Sequence, residues 1–369
     1  MVALLVVLLV LGLVFVGVFR DDPDVWIGVE VGYENVEDIF SFVDEVEDYV
    51  NLVVIGSLEV TTNATKLTTV CDYLHHKELY FIPFMFLTQF LEKPDFFQVA
   101  EERWGDHFLG VYLSDEPGGR QLDYAEHRVV YEAENYSDAA SKYVWNLRQG
   151  FKNFWDHFEE PGDVSTFVAD YALYWFDYQV GYDTVFAEFG WNHSRQLHIS
   201  LCRGAARVHD KEWGVIVTWT YRHPPYIEDP QQLYQDMVTA YDHGAQYIIV
   251  FNHPTNQTEY GLLTEDHLDS MQRFWDYTRS HPQPIPSVEV AYVLPEDYGY
   301  GFRGADDTIW GLWSADERSS LIWNQTDMLL STYVPLQDTE LDIVYNTPKL
   351  HQKQLYQKLL YWNGTTITR

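Results

Sequence analysis

The chain has 369 residues, with 56 Asp and Glu against 23 Lys and Arg and a formal net charge of −33. Its apolar fraction of 46% and charged fraction of 21% are ordinary for globular proteins, which excludes wholesale disorder. A polyanion repels nucleic acid, so a nucleic-acid partner is excluded. An aromatic fraction of 17% permits ring-lined clefts of the kind that bind sugars.

Residues 1–20 are predicted to form an N-terminal transmembrane anchor helix. Residues 1–19 carry no charged side chain and no Pro, and about 20 apolar residues span a bilayer. The run lacks a basic start and a small-x-small site, which favours an uncleaved anchor; a cleaved signal and a secreted protein stay open. Six N-x-S/T sequons predict a glycosylated extracellular globular part, and they begin at Asn63, Asn135, Asn192, Asn256, Asn324 and Asn363.

After this segment, short apolar runs alternate with helical patterns, which predicts βαβ units and a parallel sheet. Predicted strands cover 26–32, 51–56, 79–86, 108–114, 166–169, 184–189, 214–220 and 247–251. Predicted helices cover 36–49, 64–76, 94–104, 173–180, 194–209, 230–243 and 265–279, with a mostly helical insertion at 118–163. Eight βα units within 21–281 predict a (β/α)8 TIM barrel, which takes about 250 residues. A doubly wound sheet would need a glycine-rich phosphate-binding turn, and Gly28 and Gly32 lie within the first strand.

A small C-terminal α/β domain is predicted over 287–369, after the proline-rich linker His281–Pro286. Its predicted strands are 288–294, 341–345 and 361–367, and its predicted helices are 316–333 and 350–360. The loop 295–313 is rich in glycine and large rings, and we expect it to bury those rings against the barrel. An alternative is that this loop forms a wall of the substrate site.

Several carboxylates are predicted at the C-terminal ends of the barrel strands, where barrel enzymes place their active sites. Side chains alternate along a strand, so Tyr112, Ser114 and Glu116 share the inward parity, with Asp115 beside them. By the same rule Glu188 and Glu30 point inward from strands six and one. Asp170 closes strand five.

Carboxylates in such a ring suit glycosidic cleavage, which needs one protonated and one ionised acid. The predicted catalytic residues are Glu116, Glu188 and Asp115. Predicted substrate-binding residues are Glu30, Tyr33, Asp170, Trp191, His193, Trp219, Tyr221 and Asn252. A carboxylate after a barrel strand can instead cap the next helix or pair with Arg.

Metal and cofactor chemistry have no sequence support. The chain contains no H-E-x-x-H, C-x-x-C, G-x-S-x-G or Walker motif and no dinucleotide-binding fingerprint. Neither a metal nor a cofactor is therefore predicted. Cys71 and Cys202 are predicted to be free thiols.

The run Tyr112-Leu-Ser-Asp-Glu-Pro117 resembles the end of strand four in many barrel glycoside hydrolases, a resemblance that implies a general-acid role for Glu116. The large retaining clan with this turn carries its nucleophile after strand seven, but Val217–Tyr221 contains no carboxylate. Other barrel glycosidases pair acids from strands four and six, which fits either Glu116 or Asp115 with Glu188. More broadly, runs 170–177, 186–194 and 291–299 are similar to uncharacterised exported archaeal barrel proteins, a resemblance that implies no activity.

These observations predict an extracytoplasmic, membrane-anchored glycoside hydrolase-like enzyme acting on an oligo- or polysaccharide. The alternative is a non-catalytic cell-surface glycan-binding or envelope protein on a barrel scaffold. Two open, inward carboxylates would favour the enzyme, whereas acids paired with Arg, or a mouth filled by the insertion, would favour the alternative. For the enzyme, we expect retention of the anomeric configuration.

Overall fold

A computed structural model describes residues 23–86, 93–159, 162–255, 258–333 and 340–369. The predicted anchor over residues 1–20 lies outside these ranges. Within the ranges, no helix combines the length and the apolar character that crossing a membrane requires.

Eight parallel strands form a barrel, which confirms the predicted (β/α)8 fold. They are β1 (Trp26–Val31), β2 (Leu52–Ile55), β3 (Tyr80–Pro83), β4 (Val111–Asp115), β5 (Thr166–Asp170), β6 (Thr184–Phe189), β7 (Glu212–Val217) and β8 (Tyr247–Asn252). Their order around the sheet is β3-β2-β1-β8-β7-β6-β5-β4. The barrel closes between β3 and β4, where Leu109 N donates to Phe81 O at 3.1 Å and Met85 N donates to Tyr112 O at 2.8 Å.

Helices surround the barrel and cover its outer face. They are α1 (Val36–Val46), α2 (Leu58–Thr61), α3 (Ala64–His76), α4 (Phe96–Trp104), α5 (Pro117–Asp123), α6 (Tyr136–Trp155), α7 (Tyr174–Val180), α8 (Arg195–His209), α9 (Pro230–Asp242) and α10 (Glu265–Ser280). Polar side chains begin several of them by accepting backbone N–H groups of the first turn: Asn35 begins α1, Asn63 begins α3, Asn135 begins α6 and Ser194 begins α8. The predicted insertion 118–163 contains α5 and α6.

Strand side chains separate into two apolar layers. In each strand, every second side chain points outward and packs under the helices, as those of Ile27, Val29 and Val31 do in β1. The other parity fills the barrel interior, where Val54, Phe167 and other apolar residues form a separate cluster. This interior cluster occupies the barrel below the carboxylates, so the molecule has a packed core with a polar mouth.

A second sheet follows the barrel, with β9 (Val290–Leu294), β10 (Leu341–Tyr345), β11 (Lys358–Tyr361) and β12 (Thr366–Thr368) in the order β10-β9-β11-β12. Two helices belong to it, α11 (Glu317–Tyr333) and α12 (Pro348–Lys353). The predicted helix 350–360 is wrong beyond Lys353. Gln354 takes a left-handed φ of 51°, and the chain returns as β11, which fills the open edge of β9 in parallel register.

The second sheet packs on α8 through a buried ion-pair cluster. Asp342 of β10 has 0% exposure and accepts from Arg203 Nε at 2.8 Å and from Arg207 at 2.7 Å. Tyr356 donates a further hydrogen bond to Asp342 at 2.8 Å. Gly204 lies against the backbone of β10, where a Cβ would be 2.7 Å from the Ile343 carbonyl oxygen. The sheet is therefore fixed to the barrel by charges as well as by apolar contact.

The loop 295–313 packs against the barrel, as the sequence predicts. Tyr298, Tyr300, Phe302 and Trp310 are all buried, and Gln121 of α5 donates to the Trp310 carbonyl at 2.7 Å. The alternative of a substrate wall needs an exposed ring, and none of these four rings is exposed. The loop stabilises α5, the helix that follows the end of β4.

Candidate active site

A β-bulge in β4 decides which of its polar residues reach the mouth. Tyr112 pairs with Phe167 and Asp115 pairs with Ala169, but the register shifts between Tyr112 and Ser114. The extra residue reverses the parity, so Asp115 takes the interior row in place of Ser114. The inward position predicted for Ser114 is therefore wrong.

Glu116 points into the mouth because of its strained backbone conformation, not because of the alternation of side chains along β4. Its φ of 49° and ψ of 44° are left-handed, a conformation that costs a non-glycine residue about 1–3 kcal/mol. Two backbone hydrogen bonds hold it: Glu116 N donates to Ala169 O at 2.9 Å, and Arg120 N donates to Glu116 O at 2.8 Å. Such strain is concentrated at functional sites.

Glu188 enters the same space from β6. It follows Phe186 in the interior row, pairs with Ile216 of β7 and is 4% exposed. The carboxyl groups of Glu188 and Glu116 hydrogen-bond to each other. The structure thus brings together two of the three acids that the sequence predicted as catalytic, Glu116 and Glu188.

Burial sets the proton distribution within this pair. Burial, followed by the charges of Glu116 and Asp115, holds the pKa of Glu188 well above its usual range. Burial and the charges of Asp115 and Asp170 raise the pKa of Glu116 to about 7, while the hydrogen bond with Glu188 opposes that rise. Glu188 therefore holds its proton more tightly than Glu116, so that when the pair carries one proton, the Glu188 carboxyl donates it to the Glu116 carboxylate.

Glu30 and Asp115 form the other half of the acidic ring. Burial, with a smaller contribution from the charge of Asp115, raises the pKa of Glu30 to about 8. Asp115 is open to solvent at the mouth, yet the surrounding walls displace enough water to raise its pKa. Tyr112 opposes this effect by donating to the Asp115 carboxylate at 2.8 Å.

These raised pKa values predict stability that falls as pH rises. Between the unfolded pKa of Glu, about 4.3, and about 8, folded Glu30 keeps a proton that the unfolded chain releases. Each pH unit in that window costs about 1.4 kcal/mol of unfolding free energy for this group. We expect urea denaturation between pH 5 and pH 8 to show this slope, and Glu30→Gln to flatten it.

The matched control for this prediction is Glu212→Gln, which removes an exposed acid at the opposite end of the barrel. It should leave the slope unchanged. Parallel slopes for the wild-type chain and Glu30→Gln would contradict the prediction.

Asp170 has a positioning role in the described structure. It is fully buried, and its carboxylate accepts from the backbone N–H groups of Gly118 and Gly119 at 2.5 and 2.8 Å and from those of Tyr171 and Ala172. A Cβ on either glycine would collide with Asp170 or Tyr171. Asp170 thus fixes the start of α5 beside Glu116 and has no surface for a sugar.

Aromatic residues border the mouth at the ends of β6 and β7. Trp191 is 38% exposed and Tyr221 43% exposed. Trp191 N donates to Trp219 O at 2.9 Å, and the Trp219 ring lies 5.3 Å from that of Phe251. These rings offer the flat apolar faces on which sugars stack.

Three predicted substrate-binding residues have internal partners. Asn252 is fully buried, donates to Tyr33 at 3.0 Å and accepts from Leu262 N at 3.0 Å, so this pair secures the loop after β8. His193 is half-buried and stacks on His198 at 5.2 Å. Burial, followed by the charge of Arg303, lowers the pKa of His193, which is therefore neutral at pH 7.

Sequence reasoning missed Arg120, the cation near the acid pair. It lies one helical turn after Glu116, its guanidinium covers the Phe86 ring at 5.6 Å, and its charge lowers the pKa of both Asp115 and Glu116. The signal was the start of α5 at Pro117, which places positions four apart on one helix face.

The barrel carries carboxylates at the C-terminal ends of its strands, and its fold is similar to that of solved glycoside hydrolases. Similar solved structures include alpha-L-fucosidase isoenzyme 2 from Paenibacillus thiaminolyticus, with a TM-score of 0.53 and 11% identity over 91% of this chain and 59% of that chain. The chain thus spans about three-fifths of the fucosidase. A GH5 xyloglucan-specific endo-beta-1,4-glucanase from a metagenomic library has a TM-score of 0.39 and 15% identity over 63% of this chain and 87% of its own.

Barrels with other functions are also similar to this chain. KGPDC from Streptococcus mutans has a TM-score of 0.36 and 10% identity over 69% of this chain and 98% of its own. No family model and no curated protein matches the chain. At such identities the similarities show the fold alone, and the predicted likeness to exported archaeal barrel proteins stays a prediction.

Proposed function

We propose that this protein is a glycoside hydrolase that cleaves an oligo- or polysaccharide with Glu188 and Glu116. The observation that carries the proposal is the direct hydrogen bond between these two carboxyl groups at the C-terminal ends of β4 and β6. No ion pair to a basic side chain of the described residues neutralises them: Arg120, the cation whose charge acts on Glu116, donates to the Glu116 carbonyl and covers the Phe86 ring. Free acids favour catalysis over a purely structural role.

The proton distribution suggests the role of each acid. A substrate entering between them would replace their shared hydrogen bond. Glu188 would then give its proton to the leaving oxygen as the glycosidic bond breaks, and the ionised Glu116 would bond to the anomeric carbon. Water would release the sugar, with Glu188 now accepting the proton. This assignment reverses the general-acid role that the Asp-Glu-Pro resemblance implies for Glu116.

We expect the anomeric configuration to be retained. Inversion needs room for a water between one acid and the sugar, with carboxyl groups about 6.5–9.5 Å apart, whereas retention needs about 5–5.5 Å. Two carboxyl groups that touch before substrate enters favour the shorter spacing. NMR of the anomer formed first checks this, and an inverted first product would contradict it.

The proposal places the globular part outside the cell. The sequon residues Asn63, Asn135, Asn192, Asn324 and Asn363 are all exposed, which is what a glycosyltransferase requires. A loss of apparent mass on enzymatic deglycosylation, and a membrane fraction released by detergent but not by carbonate, would support a glycosylated protein held by the predicted anchor over 1–20.

A hydrolysis screen of the full-length chain on a panel of glycans and aryl glycosides tests the proposed activity. Each active substrate is repeated with Glu188→Gln, Glu116→Gln and the remote Glu212→Gln. Activity that needs both mouth acids but not Glu212 supports the enzyme. Glycan binding without turnover on every substrate would favour the non-catalytic alternative.

A further inference from the structure

Glu30 is a buried acid that the proposed reaction does not use. It is 7% exposed, and its register partners Val54 and Phe251 both belong to the barrel interior, so its side chain points into the mouth. No residue in the described part of the chain gives its carboxyl group a hydrogen bond. A buried polar group without a partner is costly unless something else satisfies it.

Asp115 lies close enough to Glu30 for their charges to interact. Among the residues that the structure describes, one side chain donates to Asp115, that of Tyr112, at 2.8 Å. Arg120, the nearest described cation, is directed elsewhere: its Nε donates to the Glu116 carbonyl at 3.3 Å and its guanidinium covers a phenyl ring. Two carboxyl groups therefore face the same space without a matching cation, and Glu30 keeps its proton near neutral pH while no cation is bound.

The missing partner has the chemistry of an organic cation. No group of three or more His, Cys, Asp or Glu side chains within the described ranges is arranged to hold a metal ion. Phe251 pairs with Glu30 across the β1–β8 ladder, and the centroid of the Trp219 ring lies 5.3 Å from that of the Phe251 ring. An ammonium group offers three hydrogen-bond donors and a charge, and aromatic faces attract it, whereas a sugar hydroxyl offers one donor and no charge.

We propose that Glu30 and Asp115 bind the ammonium group of an amino sugar, so that the substrate is a glycan containing de-N-acetylated hexosamine. This inference rests on the proposed function for its sugar, but not on turnover. An ammonium group lowers the pKa of a neighbouring carboxyl group, so its binding would release the Glu30 proton and leave two carboxylates around the cation. An acetamide in the same place carries no charge and would be a poorer fit. The net charge of −33 also attracts a polycationic glycan to the surface.

Calorimetric binding to the full-length chain carrying Glu188→Gln tests the inference. The probes are the β-1,4-linked hexamers of glucosamine, N-acetylglucosamine and glucose, which differ only at C2, together with galactosamine and N-acetylgalactosamine oligomers. We expect an amine oligomer to bind at least tenfold more tightly than its acetylated counterpart. Adding Glu30→Gln or Asp115→Asn should remove that preference, and adding Glu212→Gln should preserve it.

The control Glu212→Gln distinguishes binding at a specific subsite from general attraction to an acidic surface. Circular dichroism and melting temperature confirm that each variant is folded. If one of Glu30→Gln and Asp115→Asn fails to fold, the other is sufficient for the test. The inference is overturned if no amine oligomer binds more tightly than its acetylated form, or if the preference survives both Glu30→Gln and Asp115→Asn. Hydrolysis of neutral glycans without an amine preference would overturn the inference alone, and an amine preference without any hydrolysis would overturn the proposed function alone.

Discussion

Replacing Glu188 with Gln is expected to lower kcat on an unactivated glycan by about 10²–10⁴-fold, the usual contribution of a general acid. The loss should be much smaller on a dinitrophenyl glycoside, because that leaving group departs without a proton. Glu116→Gln should abolish turnover of both substrates, since the nucleophile is needed whatever the leaving group. Steady-state kinetics of the two variants on the two substrates checks the assignment.

Each outcome of this comparison has a distinct reading. If Glu116→Gln is the variant that spares the activated substrate, the roles are exchanged and the Asp-Glu-Pro resemblance is the better guide. If neither variant changes turnover, the carboxyl pair is not catalytic. Glu212→Gln should behave as the wild-type chain on both substrates, because its side chain is exposed at the far end of β7.

Asp342→Ala is expected to lower the free energy of unfolding by about 3–5 kcal/mol, the cost of breaking a buried ion pair from one side. Asp342 has 0% exposure, and its partner Arg203 is 3% exposed. The substitution therefore leaves a guanidinium charge buried against β10, where Glu340 and the Leu341 carbonyl are its remaining partners among the described residues. Urea denaturation at constant pH measures the loss.

The control for Asp342→Ala is Asp156→Asn, which breaks an ion pair with Lys152 in which the Asp side chain is 60% exposed and the Lys side chain 65% exposed. Exposed pairs contribute about 0–1 kcal/mol, so this variant should stay close to the wild-type chain. A loss below about 1 kcal/mol for Asp342→Ala would mean that apolar packing alone fixes the second sheet.

Strand periodicity predicted that Glu30, Glu188 and Glu116 point into the mouth, but for Glu116 the physical reason is different. β1 and β6 keep regular ladders, so alternate residues point into the barrel and parity is sufficient. β4 carries a bulge between Tyr112 and Ser114, and parity fails beyond it. A bulge depends on how two neighbouring strands align, which is a non-local property that a period-two pattern does not contain.

For Asp170, the sequence predicted the position along the strand but not the partners of the carboxylate. Its place at the end of β5 was evident from the sequence, and so was its carboxylate. Its neighbour Ala169 faces the barrel interior, so strand alternation directs Asp170 outward, to the backbone of Gly118 and Gly119. The Gly-Gly pair was visible in the sequence. The Asp170 carboxylate that accepts hydrogen bonds from these two glycines lies 52 and 51 residues further along the chain, so the local sequence did not show why side chains are absent there.

The sequence by itself determined the alternation of strands and helices, the barrel and the identity of the acids at its mouth, because these depend on local apolar periodicity and on which residue types end each strand. Tertiary structure decided which acids are in contact, which one holds the proton and which accept hydrogen bonds from backbone N–H groups. Those properties arise from the β4 bulge, the left-handed backbone of Glu116 and the burial of Glu188. A carboxyl group's pKa depends on the water and charges around it, and these are known only once distant segments have packed together.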